Sequence, residues 1–343
     1  MEDLVVFSEM KAAEKEDRVA RQETRSCSMN GGDGPNSYAR NSTYQRSGST
    51  TALTMIKEVI AKDLNMKDSP TNPGEPFCIA ELGRSAGPNT FLLVGTIIEA
   101  VKLKYYESHG NLPEFQAFFN DIASNDFNTL IRSPLWDSHL NFAATVPGSF
   151  HGRLFPKASL HFVHCSYALH WLSELPKEVM NENSPAWNKG KITCFGAKRE
   201  VSAAFLGQFA VVLNCFLLAR ADEIFGGGSM ALARLDEDQV DSFNLPAYLP
   251  TADEFGMLVE ENGSFSMEMM QPLTIPNMAF DARVLSALIR AITEVIMSTQ
   301  FGSEIIDEIF DIHRQKIEES SHLIIQSMEV SQYLFVLLKR KPN

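Results

Sequence analysis

The stretch Phe77–Asn89, FCIAELGRSAGPN, limits what this chain can fold into more than any other. An apolar run ends in an acid, Glu81, and passes at once into a loop with glycines at 83 and 87; beyond it, Thr90 to Val101 reads as helix. Strand, tight turn and helix N-terminus in that order form the opening unit of a nucleotide or cofactor fold. Glycine lets the backbone approach a ligand closely, and an acid at the strand end accepts hydrogen bonds from ligand hydroxyls or an amino group. The spacing is E-x-G-x-x-x-G, without the phosphate-binding lysine of a P-loop and without a full G-x-G-x-x-G fingerprint. A ligand that needs an acid beside the loop but no cradle for phosphates fits these residues better, and S-adenosylmethionine (SAM) is the foremost of that kind. A glycine-containing strand-to-helix turn that binds nothing is the alternative at this point.

With 343 residues, 44% of them hydrophobic, the chain can bury a large core. Its 23 Phe and 14 Met suit aromatic and adaptable apolar pockets as well as packing. A formal net charge of -13 repels polyanions, so no nucleic-acid partner is expected; the basic runs KREV at 198–201 and KRK at 339–341 are too short to offset it. The five cysteines, Cys27, Cys78, Cys165, Cys194 and Cys215, form no C-x-x-C pair, which argues against a zinc site or a disulfide framework. The charged start MEDLVVFSEMKAAEKEDRVARQE does not read as a signal peptide, and no apolar run reaches the roughly 18 residues of a membrane span. A cytoplasmic location and no membrane partner are therefore expected.

Beyond residues 1–26, a peripheral segment, the stretch Cys27–Gln45 is polar, dense in Gly and Asn, and carries two tyrosines. Such a loop is either a ligand contact or a linker. Thr51–Leu64 has helical periodicity, and strands are expected near 77, at Glu114–Phe119, Leu160–His164, Ile192–Phe195 and Ser229–Ala233. Helical segments separate most of them, including Asn125–Trp136 and residues 199–225, the latter followed by a GGG turn at 226–228. That βα repeat implies an α/β fold with a mainly parallel sheet covered on both faces. Further on, Thr251 and Glu254 form a capping box; Gly263–Met270 and Ser331–Leu338 read as strands, Asp281–Met297 and Ser303–Glu319 as helices.

In an open parallel sheet, ligands bind at the carboxyl ends of strands, which places Asp121 to receive ribose hydroxyls; an ordinary Asn-Asp turn is the alternative. The loop around Ser149 and Phe150 could lay an aromatic ring on an adenine face and offer a hydroxyl. Tyr167, His170 and Trp171 share a face if their segment is a helical turn, as a substrate wall or as a packed aromatic cluster.

These residues together resemble the plant SABATH family of SAM-dependent carboxyl and N-methyltransferases. The likeness rests on MNGGDGPNSYARNS, the GPN at 87–89, FFNDIASNDFN, VPGSFHGRLFP, HFVHCSYALHWLS and the NKG at 188–190. MNGG, SPAWNKG and DSFNLP look closest to the farnesoate-type branch. The resemblance implies a Rossmann-like methyltransferase fold over residues 27–343, with a helical cap drawn mainly from 235–325. It implies cofactor contacts at Tyr38, Glu81, Arg84, Asn89, Asp121, Ile122, Ser149 and Phe150, and an acceptor pocket of Gln45, Tyr167, His170 and Trp171, in which Gln45 and Trp171 hold the acceptor carboxylate. Some relatives are described with magnesium, whose matching positions are Asn188, Asp241, Phe243 and Asn244. The activity implied is methyl transfer from SAM to the carboxylate of a small plant acid, aromatic, isoprenoid or hormone-like. A carboxylate is already ionised near neutral pH, so the residues position and no acid or base catalyst is expected. A silent homologue that only binds, and an N-methyltransferase, are the alternatives; a homodimer is left open.

Three departures from the family pattern stand out. Glu81 replaces the usual Asp, and Arg84 replaces a cysteine beside the cationic cofactor. The connection after Ser229–Ala233 is short where relatives place part of the cap.

Overall fold

A computed structural model describes residues 28–63, 75–83, 87, 89–109, 112–133, 142–191, 193–194, 196–234, 245–273, 280–322, 324–325 and 333–342. Among these, a seven-stranded sheet runs in the order β3-β2-β1-β4-β5-β7-β6. The strands are β1 Phe77–Leu82, β2 Phe115–Asp121, β3 Phe142–Pro147, β4 Leu160–Ser166, β5 Ile224–Arg234, β6 Phe265–Leu273 and β7 Tyr333–Arg340. Neighbours among the first five are parallel, whereas β7 lies antiparallel between β5 and β6. The strand order reverses between β1 and β4, which is where an open α/β sheet leaves a crevice.

Two layers of helix cover the sheet. On one face lie α2 (Thr43–Asp63) and α3 (Asn89–His109), whose Ile56, Ile60, Val94 and Ile97 meet Phe77, Phe115 and Phe162. On the other lie α5 (Arg199–Glu223) and α6 (Ala252–Asn262), with Phe205, Phe209 and Phe216 against Leu160, Val163 and Leu232. Each fully buried Leu or Phe in these layers stabilises by ~2 kcal/mol. β4, central and covered on both sides, is buried at every position from Leu160 to Ser166, its polar His161, His164 and Ser166 included. α7 (Ala282–Phe301) and α8 (Ile306–Glu319) pack against each other, and the short α1 (Tyr38–Asn41) rests on α7, with Tyr38 against Leu288 and Ala291. A fourth short helix, α4 (Phe127–Ile131), follows β2, its N-terminus capped by Asp126.

The expected capping box at Thr251 is present: its side chain accepts from Glu254 N–H, and the Glu254 carboxylate accepts from Thr251 N–H. Other expectations need correcting. Of the expected strand Ile192–Phe195, Thr193 and Cys194 form a bend, with the Thr193 carbonyl accepting from Asn188 Nδ2, while Ile192 and Phe195 lie outside the described residues. The fifth parallel strand is instead Phe142–Pro147, an edge strand whose half-exposed side chains give no burial alternation. The GGG at 226–228 is not a turn between helix and strand. It belongs to β5, where Gly227 takes φ +81 and the register to β4 shifts between Leu160 and Phe162, the geometry of a bulge. Asn125–Trp136 shortens to α4, with residues 134–141 outside the described residues. By length and composition, α5 and α7 could each cross a membrane, beyond what the sequence reading allowed; α5 turns Val201, Phe205, Leu213 and Leu217 into the core.

Candidate active site

The carboxyl ends of β1, β2 and β4 converge on one cleft. Gly83 follows β1, Asp121 ends β2, and Tyr167 follows β4; all three line the cleft with Ile122, Ser149, Phe150 and Trp171. Local chemistry explains how these ends are held. Gly83 N–H donates to the Asn120 carbonyl at 3.0 Å, and Gly148 N–H donates to the Asp121 carbonyl at 2.9 Å. The Asn120 amide donates to the Val146 and Gly148 carbonyls at 2.7 and 2.9 Å, tying the end of β2 to the end of β3.

Gly83 cannot be another residue without rearrangement. Its φ is +69, and a Cβ there would stand 2.4 Å from Ala168 Cβ and 2.9 Å from the Phe150 ring. The glycine expected to bring backbone close to a ligand thus also brings β1 against the aromatic floor. Tyr167, with φ 56, is held in the left-handed region by its N–H to the Ala233 carbonyl at 2.8 Å. Such a conformation in a non-glycine residue costs of order 1–3 kcal/mol and concentrates at ligand sites.

Asp121 is the electrostatic centre of the cleft. Burial pushes its carboxyl up to about 7, against the opposing effect of the Ile122 N–H, which donates to Oδ1 at 2.7 Å. A carboxylate so short of solvent is well served by ligand hydroxyls. On the same wall, burial and then the Arg220 charge hold the His151 imidazole down to about 4, so it is neutral, and its buried Nδ1 has no hydrogen-bond partner among the described residues.

Not every residue expected at the site reaches the cleft wall. Glu81 is wholly buried, its Oε2 2.7 Å from His164 Nδ1, whose Nε2 meets Ser166 Oγ at 3.0 Å. Asn89 accepts from Arg46 Nε at 2.9 Å and donates to Ser42 Oγ at 3.2 Å, linking α3 to α2. Tyr38 packs on α7. Gln45 is buried on α2, outside the wall, with an Oε1 that has no partner. The segment of Tyr167, His170 and Trp171 is a bend and turn instead of a helical turn. It brings Tyr167 and Trp171 to the cleft, while the His170 carbonyl accepts from Tyr248 N–H and Trp171 bridges to Ala247. Arg84, Asp241, Phe243 and Asn244 lie outside the described residues. Of the magnesium set only Asn188 is described, and one neutral amide makes no magnesium site; among the described residues no cluster of three or more His, Cys, Asp or Glu is placed to hold a metal.

The cleft also uses residues the sequence reading passed over. Ser28 and Met29 close it from the N-terminal side. They are held there by a strap: Asn30 N–H donates to the Ala291 carbonyl at 2.9 Å, Asn30 Nδ2 to Glu294 at 2.6 Å, and Gly32 N–H to Asp126 Oδ2 at 2.8 Å. His151, Ala168, Leu172 and Ser173 complete the wall. For His151 the available signal was its place directly after Ser149 and Phe150.

A family model described as SAM dependent carboxyl methyltransferase matches residues 24–236 and 233–341. The chain belongs to that family. Carboxyl methyltransferases of this kind pass the sulfonium methyl of SAM to a carboxylate and leave a methyl ester. The two matched pieces meet at residues 233–236, where β5 ends. Loganic acid O-methyltransferase of Catharanthus roseus is 40% identical over 352 residues, covering 92% of this chain and 94% of that protein. Farnesoic acid carboxyl-O-methyltransferase of Arabidopsis thaliana is 34% identical, covering 91% of this chain and 98% of its own length. A solved structure of loganic acid methyltransferase with S-adenosylhomocysteine (SAH) superposes with a TM-score of 0.87 at 39% identity, over 92% of this chain and 99% of that one. The mainly parallel sheet with helices on both faces is thus the methyltransferase fold expected from the sequence.

Proposed function

We propose that this carboxyl methyltransferase esterifies a small plant acid of aromatic, isoprenoid or hormone type; the relatives named for loganic acid and farnesoic acid support this. In this reading Asp121 accepts the ribose hydroxyls of SAM, and Ile122, Ser149 and Phe150 bound its adenine. Tyr167 and Trp171 form the aromatic side of the acceptor pocket. SAM, when bound, supplies an electrophilic methyl group on a sulfonium. The acceptor arrives ionised, so the side chains orient the carboxylate and exclude water, and none has to remove a proton. Gln45 and Trp171 are the groups proposed to hold that carboxylate. The buried Gln45 Oε1, without a hydrogen-bond partner among the described residues, supports this: turning the amide over would put N–H donors in its place.

The observation that carries the reading is the single wall that joins Asp121, Ile122, Ser149 and Phe150 to Tyr167 and Trp171. The fit of magnesium rests on Asn188 alone, and no step is routed through the ion. The test is mass-spectrometric detection of methyl esters from SAM and a panel of terpenoid and aromatic acids, beside calorimetry with SAH. Ester from a terpenoid acid supports the proposal. Binding of SAH with no ester from any acid would return the chain to a silent binding role.

A further inference from the structure

We infer that Arg220 and Glu223, at the C-terminal end of α5, are positioning residues for the cofactor, a buried ion pair that sets the loop carrying Ser149, Phe150 and His151. This rests on reading Ser149 and Phe150 as cofactor contacts. Neither Arg220 nor Glu223 lines the cleft. Arg220 Nε donates to Glu223 Oε2 at 2.7 Å, and both side chains are wholly out of solvent. The remaining guanidinium nitrogens reach the loop: Nη1 donates to the Phe150 carbonyl at 2.8 Å and Nη2 to the Gly152 carbonyl at 2.9 Å. The other oxygen of Glu223 accepts from the N–H groups of Leu154 and Phe155. Just beyond, the Asp222 and Glu223 carbonyls accept from Ala158 and Ser159 N–H at 2.9 and 2.8 Å.

One helix end therefore grips a single loop with both polarities, a cation on its carbonyls and a carboxylate on its amides. The guanidinium fork is planar and rigid, so it fixes the spacing of carbonyls 150 and 152 with His151 held between them. Phe216 completes the device: its ring lies 5.2 Å from the guanidinium and meets the Phe150 ring edge-on at 5.9 Å. A buried ion pair contributes little net stability compared with apolar side chains of the same volume. This one directs its Nε to its partner and an N–H of each Nη to the cofactor loop, which is what a geometric role requires.

The experiment combines SAH calorimetry with steady-state kinetics on the full chain and on Arg220→Lys and Glu223→Gln. Lysine keeps the charge but not the fork. The expected result is a rise of about tenfold in SAH Kd and SAM KM, with kcat at saturating SAM and acceptor KM within about twofold. An unchanged SAH Kd in a folded variant overturns the inference, and so does an equal fall in kcat with either substrate saturating. Should both variants fail to fold, hydrogen exchange in the unsubstituted protein decides: protected Leu154 and Phe155 amides without ligand support the clamp, and free exchange there overturns it. Failure of the unsubstituted protein to bind SAH overturns the inference together with the cofactor reading, whereas binding that survives Arg220→Lys removes the clamp alone.

Discussion

The carboxylate of Glu81 and the imidazole of His164 face each other across register-paired positions of β1 and β4, 2.7 Å apart and wholly out of solvent. Glu81 was expected beside the cofactor, and its longer side chain instead meets the neighbouring strand. Glu81→Ala should destabilise the protein by about 3 kcal/mol, because it removes the partner of the buried His164 Nδ1 and leaves a cavity between the strands. Chemical denaturation measures this, with SAH calorimetry beside it. A large loss of SAH affinity at unchanged stability would show instead that Glu81 serves the ligand directly.

Asp121 makes cofactor affinity a function of pH. With its folded pKa raised from 3.8 to about 7, the stability it contributes is present below about pH 4 and is lost as pH rises through 7. Ribose hydroxyls donate to the ionised form, so binding favours ionisation and releases a proton. SAH affinity should rise by about tenfold from pH 6 to pH 8, following the ionised fraction. Calorimetry in buffers of different ionisation enthalpy should register the proton, and Asp121→Asn should flatten the profile and weaken binding throughout.

Gly83→Ala places a methyl group into Ala168 and the Phe150 ring, on a backbone at φ +69. A stability loss of about 1–3 kcal/mol is expected, with weaker SAH binding from the displaced ring. Thermal melting and calorimetry on one preparation check both; a neutral effect on each would mean that the turn yields easily.

Thr251→Ala removes one half of a capping box that lies away from the cleft. A loss of about 1 kcal/mol is expected, with kcat and both KM values unchanged. Altered kinetics would reveal that α6 communicates with the site.

Much of the scaffold was legible because it follows from local chemistry. The apolar run of β1, the glycine at 83 and the helix after Asn89 define one another within a few residues, and the Thr251 cap needs only four. β3 was missed because an edge strand with half-exposed side chains, FAATVP, carries no alternation. Ile192–Phe195 has strand-forming residue types, but Thr193 is engaged by Asn188 in a bend. Of the residues expected at the site, Asp121, Ser149, Phe150, Tyr167 and Trp171 line the cleft, although the segment of Tyr167 and Trp171 is not the helical turn from which their spacing was argued. The hydrogen bonds of Asn89 and Glu81 to Arg46 and His164 could not be read from the sequence, because those partners are set by tertiary packing. His151 was overlooked for the same reason: its neutrality comes from burial and from Arg220, 69 residues away.

The strap at Asn30 has a consequence for the order in which the molecule is made. Asn30 and Glu294 are separated by 264 positions, yet their side chains are hydrogen-bonded beside Ser28 and Met29, which line the cleft. During synthesis Asn30 therefore emerges 264 positions before its anchor. The sheet core through β5 can assemble around Gly83 and Asp121 well before that, but no chain shorter than the one reaching α7 can hold its cleft shut.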